Sequence, residues 1–251
     1  HNLSRCFKNK ELTFSILGKV CSRNCRFCGV EKSGSLNLSV DEEEPSRIAG
    51  LIRNLGINYA VITSVTRDDL TDGGAGHFAR TIECIRAVSR GVKTEVLIPD
   101  FKADGSSIKT ITDSGADVIA HNIETVRRLH RRLKPDSDYD VSLRVLRKIK
   151  ENNPEAVTKS SFLLGLGETR DEVVGAMRDL KEGLCDILTL GQYLAPSPRH
   201  YPVQDFIRPQ VFAEYRDIGI SLGFRSVLSG PLVRSSYKAS QLYKEVSLCM
   251  M

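Results

Sequence analysis

The sequence predicts an α/β fold, a partial TIM-like (β/α) barrel with about six parallel strands. Three observations carry that expectation. Short β-branched or apolar runs alternate with segments of helical spacing along the chain. Polar residues gather at the carboxyl end of one run after another. Directly after the first run, three cysteines fall within eight residues.

The runs are Thr13–Val20, Tyr59–Val65, Thr94–Ile98, Asp117–His121, Val157–Gly165, Asp186–Leu190 and Arg225–Leu228. Between them, Pro45–Leu55, His77–Val88, Ser142–Lys150 and Arg170–Lys181 place apolar residues three and four apart, the helical period. Asp41 with Glu44 offers a cap for the first helix, and Pro45 suits a first-turn position. Strands each followed by a helix pair in parallel through right-handed crossovers. A doubly wound open sheet satisfies the same pattern. A closed barrel needs about eight such units, more than the six or seven runs found, so a partial barrel fits best. No linker stands out, which argues for one domain.

The 251 residues suffice for one large domain, which buries roughly 70–75% of its unfolded surface and needs no staples. No apolar run approaches the ~18–20 residues of a membrane span, so no membrane association is expected. The net charge of +5 comes from Lys and Arg spread along the chain rather than massed, which argues against nucleic-acid binding. The densest run holds Arg127, Arg128, Arg131, Arg132 and Lys134, and reads either as a solvated helix face or as a docking patch for an acidic partner. Seven cysteines, an odd number in a chain of this size, indicate metal chemistry in a reducing compartment rather than a disulfide framework.

The polar strand ends are Thr63-Ser64 with Arg67-Asp68-Asp69, His121-Asn122 with Glu124, Thr158-Lys159, and Gly191-Gln192-Tyr193. Parallel β/α proteins build their sites at that end. The cysteines are spaced Cys21-x-x-x-Cys25-x-x-Cys28. Structural zinc sites usually need a second Cys or His pair, and none is present. Three thiolates on one loop hold three corners of a 4Fe–4S cube and leave the fourth iron open. Zinc and buried thiols remain the alternatives. Cys84 and Cys185 read as small core residues, and Cys249 lies in the tail.

These residues resemble a known family. The C-x-x-x-C-x-x-C loop is similar to that of radical S-adenosylmethionine (SAM) enzymes, and the flanking text resembles lipoyl synthases. The blocks are Thr13–Gly18, Arg26-Phe27-Cys28, Val61–Val65, Arg67–Leu70, Asp72–Ala75, Val96–Phe101, His121–Val126, Gly165–Thr169, Gly191–Leu194 and Gly230–Tyr237, the last containing Arg-Ser-Ser-Tyr. The resemblance implies that Cys21, Cys25 and Cys28 hold the cluster that splits SAM. The resulting 5′-deoxyadenosyl radical takes hydrogen from an octanoyl chain on a lysine of a carrier protein, and two sulfur atoms are inserted to form the lipoyl group. A second 4Fe–4S cluster is the sulfur source. Three cysteines of a C-x4-C-x5-C motif and a serine of Arg-Ser-Ser-Tyr hold it. Cys6 matches the last of those cysteines and Ser236 the serine, with Ser235 as fallback. As a ligand to a consumed cluster, Ser236 is also the expected catalytic residue.

The first two cysteines of that motif have no counterpart, because only five residues precede Cys6. The expectation is therefore a chain shortened at its N-terminus. Residues 1–12 would be a remnant of the auxiliary-cluster segment, 13–230 the radical SAM barrel and 231–251 a C-terminal segment. Two clusters are expected in the intact protein and one in the chain as given. Thr63, Ser64, Asn122, Glu124, Lys159 and Gln192 are expected to line the SAM pocket. Glu124 and Lys159 serve equally as an ion pair, and His121 as a core histidine. Gly165-x-Gly167 is no dinucleotide fingerprint, since Arg170 occupies the third glycine position; it would let the backbone approach a bound nucleoside. An octanoylated lipoyl-domain carrier and a low-potential electron donor are the implied partners. A cytoplasmic location is expected, and an upstream organellar targeting segment is compatible with the sequence.

Overall fold

The structure, a computed structural model, describes residues 2–33 and 39–248. Helix α1 (Asn2–Lys8) leads into β1 (Glu11–Ile16), followed by two short strands, β2 (Val20–Cys21) and β3 (Glu31–Lys32). Then come α2 (Glu44–Leu55), β4 (Tyr59–Ser64), α3 (Ala75–Val88) and β5 (Lys93–Leu97). The chain continues through α4 (Gly105–Asp113), β6 (Val118–Ala120), α5 (Arg127–Leu133), α6 (Tyr139–Asn152) and β7 (Val157–Leu164). It ends with α7 (Arg170–Glu182), β8 (Ile187–Gln192), α8 (Pro209–Ser221), β9 (Ser226–Gly230) and α9 (Ala239–Leu248).

Seven strands form one sheet in the order β1-β4-β5-β6-β7-β8-β9, and every neighbouring pair is parallel. That is one strand more than about six. Among the described residues β1 and β9 do not pair, so the barrel stays open. Its helix-facing core has two halves, one built around Ile62, Phe78 and Ile82 and the other around Phe162, Met177 and Leu190.

The inner face is filled in layers, because alternate residues of a strand point to the same side. At the amino-terminal end α9 serves as a plug. Its Leu242 and Val246 pack on Val118, Val157 and Ile187, and its Ala239 packs on Tyr59 and Val61. Above the plug lies a buried polar layer in which the Tyr59 hydroxyl and the Lys159 ammonium both donate to Glu95, at 3.0 and 2.7 Å. Only the layer at the carboxyl ends is left for a site. Among the described residues no helix is long and apolar enough to cross a membrane.

Two local expectations need correction. The first strand ends at Ile16 rather than Val20, because Leu17 and Gly18 both take positive φ, 65° and 89°, and turn the chain. Asp41 and Glu44 do not cap α2. The cap position is Glu43, Asp41 pairs with Arg47, and Glu44 instead accepts from the Leu17 amide and meets His77. In Asp72-Gly73-Gly74-Ala75 the Asp72 carboxylate accepts from the Gly74 and Gly76 amides and so starts α3. Gly74 has φ 93°, and a Cβ there would lie 2.4 Å from the Leu17 side chain, so glycine is required.

Candidate active site

The Leu17–Gly18 turn delivers the chain to β2, and the parallel pairing of Val20–Cys21 with Glu31–Lys32 folds the residues between them into a hook. Its backbone is tied down at several points. Ser22 donates to Thr66 O at 3.0 Å, Asn24 to Asp136 at 2.7 Å and Arg26 to Leu133 O at 2.8 Å. From the other side Tyr201 N donates to Arg26 O at 2.9 Å. The central fastener is Arg23, only 5% exposed. Its guanidinium donates to Asp68 at 2.7 and 2.9 Å and to Asp100 at 2.6 and 2.7 Å, joining the hook to the ends of β4 and β5. These charges hold the Arg23 pKa well above and the Asp100 carboxyl well below their usual ranges. Arg67-Asp68-Asp69 is thus divided: Asp68 serves Arg23, while Asp69 pairs with the fully buried Arg67 at 2.7 Å.

Cys21, Cys25 and Cys28 border a cavity of about 270 Å³ at the barrel mouth. Opposite them lie Thr63 and Ser64 from β4, Ile98 to Asp100 after β5, and His121, Asn122 and Glu124 after β6, with Lys134. Burial pushes the Cys25 thiol up to about 11, against the pull of Lys134, and raises Cys28 as well. In this setting a thiolate needs a metal cation in place of its proton. Among the described residues no three His, Cys, Asp or Glu side chains converge tightly enough for a single metal ion. Thiols spaced around a cavity suit a multi-iron cluster better than a lone zinc.

Three buried polar atoms on the far wall have no hydrogen-bond partner among the described residues: Ser64 Oγ, His121 Nε2 and Asn122 Oδ1. Orphaned groups of this kind are rare and costly unless a polar ligand completes them. His121 Nδ1–H donates to Ile98 O at 3.0 Å, and burial lowers its pKa to about 4, so the ring is neutral near pH 7. Glu124 sits at φ 70°, held there because its N–H donates to Ser161 O and its carbonyl accepts from Leu163 N. The Asn122 amide donates to its carboxylate at 3.0 Å. Burial raises the Glu124 pKa and lowers that of Lys134, and each residue's charge opposes the other's shift.

Cys21, Cys25, Cys28, Thr63, Ser64, Asn122 and Glu124 therefore share one cavity, and Lys159 and Gln192 are not among its lining residues. Lys159 does not pair with Glu124; its partner is Glu95, one layer deeper. Gln192 spends its amide on Tyr193 O, Asp205 O and the Ile207 amide. Gly165 has φ 91°, and a Cβ there would lie 2.3 Å from Asp205 O and 2.4 Å from Gln192 Nε2, so the close approach is to this loop rather than to a nucleoside. Cys6 and Ser236 come together in a second, smaller pocket of about 220 Å³, with Glu11, Thr13 and Tyr237. Ser235 is not part of its lining. Cys84 is half-buried and packs on the core, Cys185 is fully buried, and Cys249 lies outside the described residues. Arg23, Asp100 and Lys134 were missed. Arg23 lies inside the cysteine motif and Asp100 inside a quoted block, so a buried-charge argument was available for both.

Comparison with known proteins gives the class first. The Radical SAM superfamily model matches residues 15–180, two thirds of the chain, and the chain is a member of that superfamily. Solved structures agree on the fold. Methylornithine synthase (PylB) superposes with a TM-score of 0.63 at 14% identity, over 100% of this chain and 87% of that one. The FeFe-hydrogenase maturase HydG from Carboxydothermus hydrogenoformans gives 0.64 at 13%, over 99% and 70%. Curated relatives narrow the class. Lipoyl synthase from Caldanaerobacter subterraneus subsp. tengcongensis is 50% identical over 238 residues, 95% of this chain and 83% of the relative. Lipoyl synthase from Thermus thermophilus is 47% identical over 247 residues, 98% and 76%. The chain belongs to the lipoyl synthase family.

Proposed function

We propose that Cys21, Cys25 and Cys28 ligate a 4Fe–4S cluster facing SAM, and that Cys6 and Ser236 contribute to a second, sulfur-donating cluster for insertion into an octanoyl chain carried by a lipoyl-domain protein. The observation that carries the reading is the pairing of three thiols with three orphaned polar atoms across one cavity. The first cluster, when bound, supplies the electron that cleaves SAM.

This chain's residues do the rest. Asn122 Oδ1, Ser64 Oγ and the Glu124 carboxylate offer acceptors to an ammonium and to ribose hydroxyls, and Lys134 offers a cation to a carboxylate. His121, neutral, offers Nε2 as one further hydrogen-bonding atom. Val30, Phe27, Leu97 and Ile98 supply apolar wall that keeps water from a reactive radical. Ser236, lying beside Cys6, would offer a second cluster one hard oxygen ligand among soft thiolates, a weaker bond suited to a cluster that is dismantled in use. A low-potential electron donor completes the partners. The reading is tested by anaerobic reconstitution, with iron and sulfide, of a chain extended upstream to carry the complete C-x4-C-x5-C motif, followed by assay of 5′-deoxyadenosine and lipoyl product. Ser236→Ala should leave 5′-deoxyadenosine formation in place and abolish sulfur insertion.

A further inference from the structure

A second depression lies beside the cysteine hook. It measures about 660 Å³ and is bordered by Arg26, Lys32, Arg132, Arg199 and His200 over Tyr201 and Pro202. Val30 borders both this basin and the cluster cavity, so the two are neighbours across one side chain.

Among the described residues no acid borders the basin. On the same helix α5, Arg127 meets Asp140 at 2.8 Å and Arg128 meets Glu172 at 2.6 Å, so these two are helix fasteners rather than free charge. Arg26, Lys32, Arg132 and Arg199 have no carboxylate within ion-pair reach among the described residues; ion pairs are found for many other surface cations. Lys32 donates to Cys25 O at 2.7 Å, and the Arg132 guanidinium lies 5.1 Å from the Tyr201 ring centroid. The frame beneath is fixed, because Arg26 N donates to Leu133 O and Tyr201 N to Arg26 O, sewing the hook, α5 and the loop before α8 together. Like charges gathered without counter-charges repel one another, and a surface shaped for stability alone would pair them.

We propose that this basin is the docking surface for an acidic face of the protein that carries the acyl chain, set so that the modified lysine passes Val30 into the cavity. The proposal rests on the reading of the substrate as protein-bound. Complementary charge steers encounter and fixes register, and register matters where a long side chain must enter a cavity of limited size.

The test compares an acidic octanoylated lipoyl domain with a short uncharged octanoyl-lysine peptide as substrates of the reconstituted holoenzyme, its chain extended upstream to carry the complete C-x4-C-x5-C motif. In an Arg132→Glu/Arg199→Glu variant, KM for the domain should rise about tenfold at low ionic strength, and the salt dependence seen in the parent should flatten. KM and kcat for the peptide should not change. Arg144→Glu/Arg178→Glu, the same charge change at exposed positions elsewhere, should behave as the parent. An unchanged KM for the domain, with the peptide still turned over, overturns the docking proposal alone. A parent that converts neither substrate overturns the functional reading and the docking proposal with it. ATP binding that is lost in the basin variant while KM for the domain is unchanged makes the basin a phosphate site and also overturns the proposal.

Discussion

The guanidinium of Arg23 grips both carboxylate oxygens of Asp100 at 2.6 and 2.7 Å, across 77 residues of sequence. Both side chains are almost fully buried, so this bond, together with the Arg23–Asp68 pair and the backbone ties, holds the hook against the barrel without help from the cysteines. Removing one partner of such a pair leaves an uncompensated charge and costs ~3–5 kcal/mol. Asp100→Ala should therefore lower the stability of the cluster-free protein by about that amount and reduce iron uptake on reconstitution. Denaturant unfolding together with iron content checks both. A variant as stable as the parent would show that the hook is held elsewhere.

Lys159 is the second pair to test. It lies 2.7 Å from Glu95 in the barrel interior, at 0% exposure. Lys159→Met alone should destabilise by ~3–5 kcal/mol, whereas Lys159→Met with Glu95→Leu should recover most of that loss. In both variants the folded protein should bind SAM as the parent does. A selective loss of SAM affinity in the double variant would return Lys159 to the ligand pocket.

Acidification should weaken the fold before most carboxylates titrate. Burial depresses the pKa of His121 to about 4 and that of His130 to about 3. Unfolding restores both to the ordinary ~6.5. Between those values the unfolded chain binds more protons, so stability rises with pH and is lost as pH falls from about 6.5 towards about 4 and 3. Cluster-free protein should have a lower denaturant midpoint at pH 5 than at pH 7, and His130→Phe should reduce the difference. An identical pH dependence in that variant would remove His130 from the account.

Thr169 caps α7 with a reciprocal capping box, in which its hydroxyl accepts from the Glu172 amide and Glu172 accepts from the Thr169 amide. Thr169→Ala should cost ~1 kcal/mol, read as a shift in thermal midpoint with no change in SAM cleavage. A matching loss of cleavage would tie the Gly165–Thr169 block to the site rather than to the helix start.

Much of this was legible in the sequence because it is local. The cysteine spacing needs one loop, and the alternation of strand and helix implies parallel neighbours. Depth along a strand was not legible. Lys159 and Gln192 both look like strand-end residues, yet Lys159 is the third residue of an eight-residue strand and faces the inner polar layer. Gln192 does stand at its strand's end, but the loop reaching Ile207 claims its amide. The α9 plug was missed because a ten-residue helix with three buried positions leaves a weak period. Arg127 and Arg128 looked like free charge because their partners, Asp140 and Glu172, lie 13 and 44 residues away.

The central claim is that the three thiols around the mouth cavity hold the cluster that splits SAM. The direct measurement is 5′-deoxyadenosine formed from SAM by anaerobically reconstituted protein with a strong reductant, in the parent and in the Cys21→Ala/Cys25→Ala/Cys28→Ala variant. The account predicts brown, iron-loaded parent protein that forms 5′-deoxyadenosine, and a triple variant that forms none. Continued formation of 5′-deoxyadenosine by the folded triple variant would contradict it.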